Sequence, residues 1–403
     1  MLSIGGWYMR ILTINSGSSS IKLGLYDMGK SERLMLSGSL TRIGLTAGVF
    51  LVEDAKGNTL IDQAVDLPDH ETALRSLFTW LEKHESDKSL DAVGHRVVQG
   101  GQKYSSPHRI TPGLMSELKG FIRLAPEHLP HEIKAIQATS HTYPNLIKVA
   151  CFDTAFHHHM PHLAKIAALP RYYQHEGLIR YGFHGLSYEY IMQELLKEAG
   201  KKVANGRVII AHLGNGASMV AVRKGKSVET TMGFTPVSGL VMGTRAGDLD
   251  PGMLIYLIQE KGMRPSSLNE MINEHAGLLG VSGISSDMRD LLKKEKSETH
   301  AREAVDLFCY RAKKHLGALV AVLGGLDTLV FTAGIGENSP AVRQRICQNM
   351  GFLGIDLDED RNHTNAAIIS PEGANVTIRV MKTDEDLMVA RHTYSLIRKN
   401  QKK

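Results

Sequence analysis

The sequence predicts an α/β protein assembled from two similar domains, and three observations predict it. A hairpin pattern at Arg10–Tyr26 has a weaker copy at Arg207–Val222, and the two align without a gap, Gly17 on Gly214. The order hairpin, helix, strand, helix recurs in both halves, as expected of a repeated α/β unit. At 403 residues the chain can fold as two or three domains, each burying its own core.

Each hairpin reads as an apolar run, a small-residue turn and a second apolar run. Gly and Ser serve ordinary turns, but small residues at a tip also leave backbone N–H groups uncovered, so that a phosphate can approach. Two such tips suggest two halves gripping one nucleotide. Beyond the first, apolar residues at helical spacing (Leu74, Leu77, Phe78, Leu81) predict a helix over 71–84. Asp91 to Gln99 reads as a short buried strand running into a glycine turn, and Leu146 to Phe152 as another that stops at Asp153. Strand ends of this kind carry functional side chains in α/β folds.

In the second half, Arg302 to Leu323 predicts a core helix with Ala304, Leu307, Phe308, Ala312, Leu316, Leu319 and Leu323 on one face. The strand from Thr328 follows, then Gly334 to Asn338, expected to form a loop. Ser339 and Pro340 next open a helix, whose N-terminus would attract an anion. The domain boundary is expected soon after Asp153, with residues 1–155 and 386–403 forming one domain, onto which the last helix folds back, and 156–385 the other.

The net charge of +5 is modest, and Arg398, Lys399, Lys402 and Lys403 gather much of it at one end; this is a solvated tail, not a nucleic-acid footprint. Three widely spaced cysteines, Cys151, Cys309 and Cys347, suit a reducing cytoplasm better than a disulfide framework. The leading residues before Met9, which itself could serve as the start, lack the pattern of a secretory signal. Leu316 to Leu326 is too short to cross a bilayer. A soluble cytoplasmic enzyme is the expectation, with no nucleic-acid or membrane partner.

Among chemistry-bearing residues, His184 sits between Phe183 and Gly185 and Arg245 lies in a glycine-rich loop. Either alone has an ordinary reading, as a satisfied core histidine or a solvated arginine. An arginine fixed by glycines, however, makes a fork for carboxylate or phosphate. Asn15, Asp153 and Glu385 are oxygen ligands at element ends, and few carboxylates plus waters and substrate phosphates is how Mg²⁺ is held. Phosphoryl transfer uses all of these parts. The run His157, His158, His159 with His162 has no zinc spacing, since adjacent histidines point in different directions.

The motifs Asn15–Lys22, Gly94–Val98, Phe152–His157, Tyr181–Gly185, His212–Gly216, Met242–Arg245, Ser286–Arg289 and Gly334–Asn338 together resemble the acetate kinase family, in order from Met9 to about Arg391. The resemblance implies a duplicated ribonuclease-H-like (actin-like ATPase) fold with its active site in the cleft between two similar domains. It also implies a homodimer, joined through the C-terminal domain, that reversibly transfers the γ-phosphate of ATP to a short carboxylate with Mg²⁺, or Mn²⁺ in its place. Carried over by position, Asn15 and Glu385 would hold the metal and Lys22 would approach the phosphates. His212, Leu213, Gly214, Asn215 and Gly216 would line the nucleotide site, with Gly334, Ile335, Gly336, Glu337 and Asn338. Asp287, Met288 and Arg289 would lie near the adenosine. Arg96 would bind the carboxylate, Asp153 would be the catalytic acid, and His184 and Arg245 would stabilise the transferring phosphoryl group. Val98, Phe183 and Pro236 would line the acyl pocket.

Four positions depart from that pattern. Glu127 stands where a leucine usually faces the methyl group, Gln99 replaces a histidine, Ser238 a glutamate and Asp384 an asparagine. An unpaired carboxylate against a methyl group is unfavourable, so either Glu127 turns away or the substrate is not bare-ended. Acetate leads, with propionate or a polar short acid as competitors. An ATPase switch of the same superfamily, for which Arg96 has no use, and a slow hydrolase with a failed acyl pocket are the other readings.

Overall fold

The structure is a computed structural model that describes residues 8–84 and 89–401. The residues before Tyr8, and Lys402 and Lys403 of the basic tail, lie outside the described residues. The chain forms two compact units, one running to Ala155 and resuming at Asp384, the other Phe156–Thr383.

The first unit contains strands β1 (Met9–Ser16), β2 (Ser20–Met28), β3 (Glu32–Thr41), β4 (Gly48–Asp54), β5 (Thr59–Val65), β6 (Ala92–Val97), β7 (His108–Arg109) and β8 (Ile147–Phe152). They form one sheet in the order β5-β4-β3-β2-β1-β6-β8-β7. The second unit has β9 (Arg207–Leu213), β10 (Ala217–Arg223), β11 (Lys226–Thr230), β12 (Thr328–Thr332) and β13 (Thr377–Val380), ordered β11-β10-β9-β12-β13. In both sheets three antiparallel strands are extended by two parallel ones beside the first: β3-β2-β1-β6-β8 matches β11-β10-β9-β12-β13. The duplication read from the hairpins is thus a duplication of whole sheets, in the strand order of the ribonuclease-H-like fold.

The hairpins are not gapless copies. Asn15 pairs with Lys22 across the first, whereas His212, its counterpart before the tip, pairs with Ser218. The second turn is one residue tighter, closed by Gly214 N–H to the Gly216 carbonyl, where the first is closed by Gly17 to Ser20. A one-residue slip reverses which face each following side chain occupies, so Ser218, not Met219, is the structural counterpart of Lys22.

The predicted helices are present as His70–His84, which buries Leu74, Leu77, Phe78 and Leu81, and Thr299–Leu323. Leu307 is only half-buried on the latter. Gly334 to Asn338 is not a loop but most of a short helix, Ala333–Asn338. Ala333 takes a left-handed φ of +64° that turns the chain sharply off β12. Its N–H donates to Glu337 Oε1 at 2.8 Å, a local cap that outweighs the two glycines' poor helix propensity.

The last helix, Glu385–Gln401, packs on β1, β2, β6 and β8 of the first unit. A Cβ at Gly94 would meet Val389 Cγ1 at 2.6 Å and Thr393 Oγ1 at 2.5 Å, so glycine in β6 permits this close approach. Asp384 and Glu385 therefore group with the first unit, two residues earlier than the boundary read from sequence. Asp384 begins that helix, its Oδ1 accepting from Leu387 N–H at 2.8 Å. An aspartate caps as well as the asparagine the resemblance led one to expect.

Candidate functional site

In the first unit the carboxyl ends of the parallel strands β1, β6 and β8 carry Asn15, Arg96 and Asp153 to one place, where α/β sheets bind ligands. Arg96 is the hub. Its Nη1 donates to Asn15 Oδ1 at 3.1 Å, its Nη2 is bonded to the fully buried Asp153, and its Nε lies 3.7 Å from Glu385 Oε2. Burial works against its charge, but the carboxylates of Asp153 and Glu385 more than reverse this and hold the guanidinium firmly protonated. Lys22, exposed, faces Asn15 across the hairpin and acts on Asp386.

Glu132, which the motif reading passed over, is buried on the Leu129–Thr142 helix and accepts from Val98 N–H. Its sequence signal is an acid on an otherwise apolar stripe with Leu129, Ile133 and Ile136. Val98 is buried, and Gln99, fully buried, accepts from Gly101 N–H at 2.9 Å. Glu127 is half-buried, and its charge acts on His131 one turn along the chain.

The donor set suits Mg²⁺. Asn15 and Glu385 each bring a hard oxygen beside the Arg96 guanidinium, and Asp386 Oδ1 and Ser16 Oγ are buried without a protein partner. Among the described residues no group of three His, Cys, Asp or Glu could hold a metal alone. A few protein oxygens completed by water and phosphate is the arrangement Mg²⁺ prefers.

The second unit places His212 at the end of β9, as Asn15 ends β1. The His184 and His212 rings stack with centroids 4.2 Å apart. Each has its Nδ1 fixed by a hydroxyl: Ser218 Oγ for His184 and Ser187 Oγ for His212, both at 2.8 Å. Ser187 in turn meets Thr383 Oγ1 at 2.8 Å. These hydroxyls orient the rings and select their tautomers; none was singled out from sequence. His184 itself holds a left-handed φ of +58° at the start of the Gly185–Ala204 helix, a strained backbone of the sort found at working sites.

The tip of the second hairpin is the crossing point. A Cβ on Gly216 would come within 3.2 Å of His184 Nε2 and 3.8 Å of Arg245 Nη1; one on Gly214 would lie 3.6 Å from Ala333 Cβ. The loop Met242–Arg245 is pinned by the segment beginning the Gly277–Ser282 helix: Ala276, Leu278 and Leu279 N–H groups donate to the Thr244, Met242 and Gly243 carbonyls at 2.8–3.0 Å. Arg245 thus reaches the site on a braced loop, with Pro236 O 3.5 Å from its Nη1. Phe183 is buried, its carbonyl accepting from His157.

Other predicted residues sit as follows. Asp287 caps the Met288–Lys294 helix through Arg289 N–H and pairs with the exposed Arg289 side chain at 2.6 Å. Glu337 Oε1 also accepts from Thr383 N–H at 3.1 Å, while Gly334 and Asn338 are exposed. His157 has both nitrogens occupied, by Ser227 Oγ and Phe183 O, and burial lowers it to about 4, so it is a core residue with no nitrogen left for a metal.

Residues 10–391 match the Acetokinase family. The acetate kinase of Rhodopseudomonas palustris (strain TIE-1) is 46% identical, covering 96% of this chain and 98% of the relative. Acetate kinase 2 of Clostridium perfringens is 44% identical, covering 97% and 100%. Among solved structures, Porphyromonas gingivalis acetate kinase is similar with a TM-score of 0.87 at 36% identity, covering 96% and 100% of the two chains. A propionate kinase from Francisella tularensis is similar with a TM-score of 0.90 at 33% identity, covering 95% and 98%.

Proposed function

The chain belongs to the Acetokinase family, and from that premise we propose that it catalyses the reversible transfer of the ATP γ-phosphate to acetate, giving acetyl phosphate and ADP. The observation that carries this reading is the convergence of Asn15, Arg96, Asp153 and Glu385 at the strand ends of the first unit. Nucleotide would lie against Gly214–Gly216 and Ala333–Asn338, with Asp287–Arg289 towards the adenosine and Lys22 towards the phosphates.

A carboxylate with a pKa of about 4–5 is already ionised at neutral pH, so the nucleophile needs no strong base. It does need to approach another anion. Arg96 offsets that repulsion and orients the acid. His184 and Arg245 act on charge that spreads over the phosphoryl oxygens as transfer proceeds. Asp153, tied to Arg96, serves as an organiser rather than a proton acceptor. Mg²⁺, when bound by Asn15 and Glu385, supplies neutralisation of the β- and γ-phosphate charge.

Val98, Phe183 and Pro236 would enclose the methyl group. Glu127 lies in the turn before the Leu129–Thr142 helix, and acetate is the leading acid. Propionate remains the competing acid, with Gln99 and Ser238 as the altered neighbours. Hydroxylamine trapping of acyl phosphate with ATP, Mg²⁺ and acetate, propionate, butyrate, glycolate or lactate tests the reading. Acetyl hydroxamate formed fastest is expected; ADP release with no hydroxamate from any acid would overturn it.

A cytoplasmic homodimer completes the proposal. Cys151, Cys309 and Cys347 are buried and none of them is in a disulfide, which suits a reducing compartment. Among the described residues no helix is long and apolar enough to cross a membrane. The Pro251–Gln259 helix exposes Met253, Ile255, Tyr256 and Ile258 and buries no side chain, an apolar surface suited to a second copy. Sedimentation at a dimer's mass is expected, and a monomer at micromolar concentration would refute this part.

A further inference from the structure

Glu132 is a carboxylate placed where an anion-binding site would least be expected to hold one. It is 2% exposed, and both its oxygens lie within hydrogen-bond distance of Val98 N–H, at 3.2 and 3.0 Å. Val98 follows β6 directly, two residues after Arg96. The guanidinium that must attract the substrate therefore has three acids around it, Asp153, Glu385 and Glu132. Two of these face the strand ends where the reaction is placed; Glu132 comes from the helix behind.

We propose that Glu132 is a positioning residue that sets the carboxylate affinity of the site, acting through the Val98 backbone and through the charge of Arg96. The inference rests on the carboxylate-kinase reading. Geometrically, Glu132 fixes the turn by which the chain leaves β6, and with it the Val98 side chain and the Arg96 fork. Electrostatically, it decides how much of the Arg96 charge remains for the substrate. As a neutral acid it leaves Arg96 facing two carboxylates; as an anion it adds a third and repels the incoming acid. Burial pushes its carboxyl up to about 8, against the pull of Arg96 and the Val98 N–H and with a further push from Asp153. At neutral pH the neutral form predominates, and the switch lies just above.

The charged groups that face Glu132 are Arg96 from β6 and Asp153 beyond β8. From the His70–His84 helix, His70 lies tilted against His131 with centroids 4.7 Å apart, and Lys134 acts on both histidines. Glu117, on the Pro112–Phe121 helix, is engaged with Lys103 and Tyr104. None of these last groups contributes to the shift at Glu132.

The experiment compares the full-length protein with Glu132→Gln from pH 6.5 to 9.5, measuring acetate KM by hydroxamate formation and acetate affinity by calorimetry with ADP and Mg²⁺ present. Wild-type acetate KM and Kd should both rise above pH 8, by up to about tenfold per unit, while the KM for ATP stays within about twofold. Glu132→Gln should match wild type within about threefold at pH 7 and lose the alkaline rise. Glu132→Ala, which leaves the Val98 N–H without its acceptor, should raise acetate KM by about tenfold or more at pH 7. A wild-type profile flat to pH 9.5, or the same rise in Glu132→Gln, would overturn the inference. Acetate that binds with the expected pH dependence but yields no acyl phosphate would instead overturn the kinase reading and leave the role of Glu132 standing.

Discussion

Replacing Arg343 by Met should damage the segment proposed to meet nucleotide, Ala333–Asn338, without touching any residue assigned to the carboxylate substrate. Arg343 is fully buried and has no carboxylate among its partners. It donates to the carbonyls of Gly336 at 2.8 Å and Glu337 at 3.0 Å, to Asn362 Oδ1 and O, each at 2.8 Å, and to Asn365 Oδ1 at 2.6 Å. It thus ties the end of the Ala333–Asn338 helix to the Glu359–His363 helix. Methionine fills much of the volume but supplies no donor, so five acceptors each lose one, and Asn362 O keeps the Asn365 N–H at 3.2 Å. Each buried unmade bond costs about 1–3 kcal/mol. Set against this is the cost of burying the cation itself, which pulls its pKa down to about 10. A net loss of about 3–5 kcal/mol follows, or roughly 10 °C in the Tm of a unit this size. The assay is thermal unfolding by near-UV circular dichroism, paired with the KM for ATP, which should rise by about tenfold while acetate KM holds. Arg343→Lys, keeping the charge with fewer donors, should fall between. A methionine variant within 1 °C of wild type and with unchanged ATP KM would refute the reasoning.

Three further outcomes are expected. Arg96→Ala should raise acetate KM by about 10–100-fold with a smaller effect on kcat, whereas Arg245→Ala should lower kcat by about 100-fold or more with little change in KM; steady-state kinetics showing the reverse would exchange their roles. Gly277→Ala should lower kcat by about tenfold or more through the Arg245 loop, since its φ is +61° and a Cβ would stand 2.2 Å from Met242 O and 2.7 Å from Arg245 O; unchanged kcat would show that the loop yields freely. Because the Glu132 carboxyl is raised in the folded state from 4.5 to about 8, its contribution to stability is fully present below pH 4.5 and is lost as pH rises to 8, at up to about 1.4 kcal/mol per unit. Glu132→Gln should therefore match wild type in Tm at pH 4.5 and exceed it increasingly towards pH 8.5, and a constant difference would contradict the assignment.

The parts of this site that were legible in the sequence are those made by local pattern. Arg96 and Asp153 stand where a short buried strand meets a turn, and Gly214–Gly216 where a hairpin closes. The repeated order of elements foreshadowed the repeated sheets. What escaped was made by contacts distant in sequence. Glu132 meets Val98 34 residues away, and Ser218 reaches His184 across another 34. Arg343, like Glu132, left one trace, a charge in line with the apolar Ile346 and Cys347, which neither periodicity nor motif interprets. Gly334–Asn338 was misread because glycine content outweighed a cap supplied from inside the same segment by Glu337.

The return of the chain to the first sheet also sets an order of events during synthesis. Domains fold as units while the chain is being made, and Phe156–Thr383 is a continuous stretch that can do so. The first unit cannot, because the helix that covers Gly94 and carries Glu385 to Arg96 is translated after the whole of the second unit. Until then, one face of β6 is uncovered and Arg96 has only Asn15 and Asp153 from within its own sheet. The unit that would take the metal and the acid is therefore completed after the other, so unfinished chains would hold the proposed nucleotide surface before they could hold the acid.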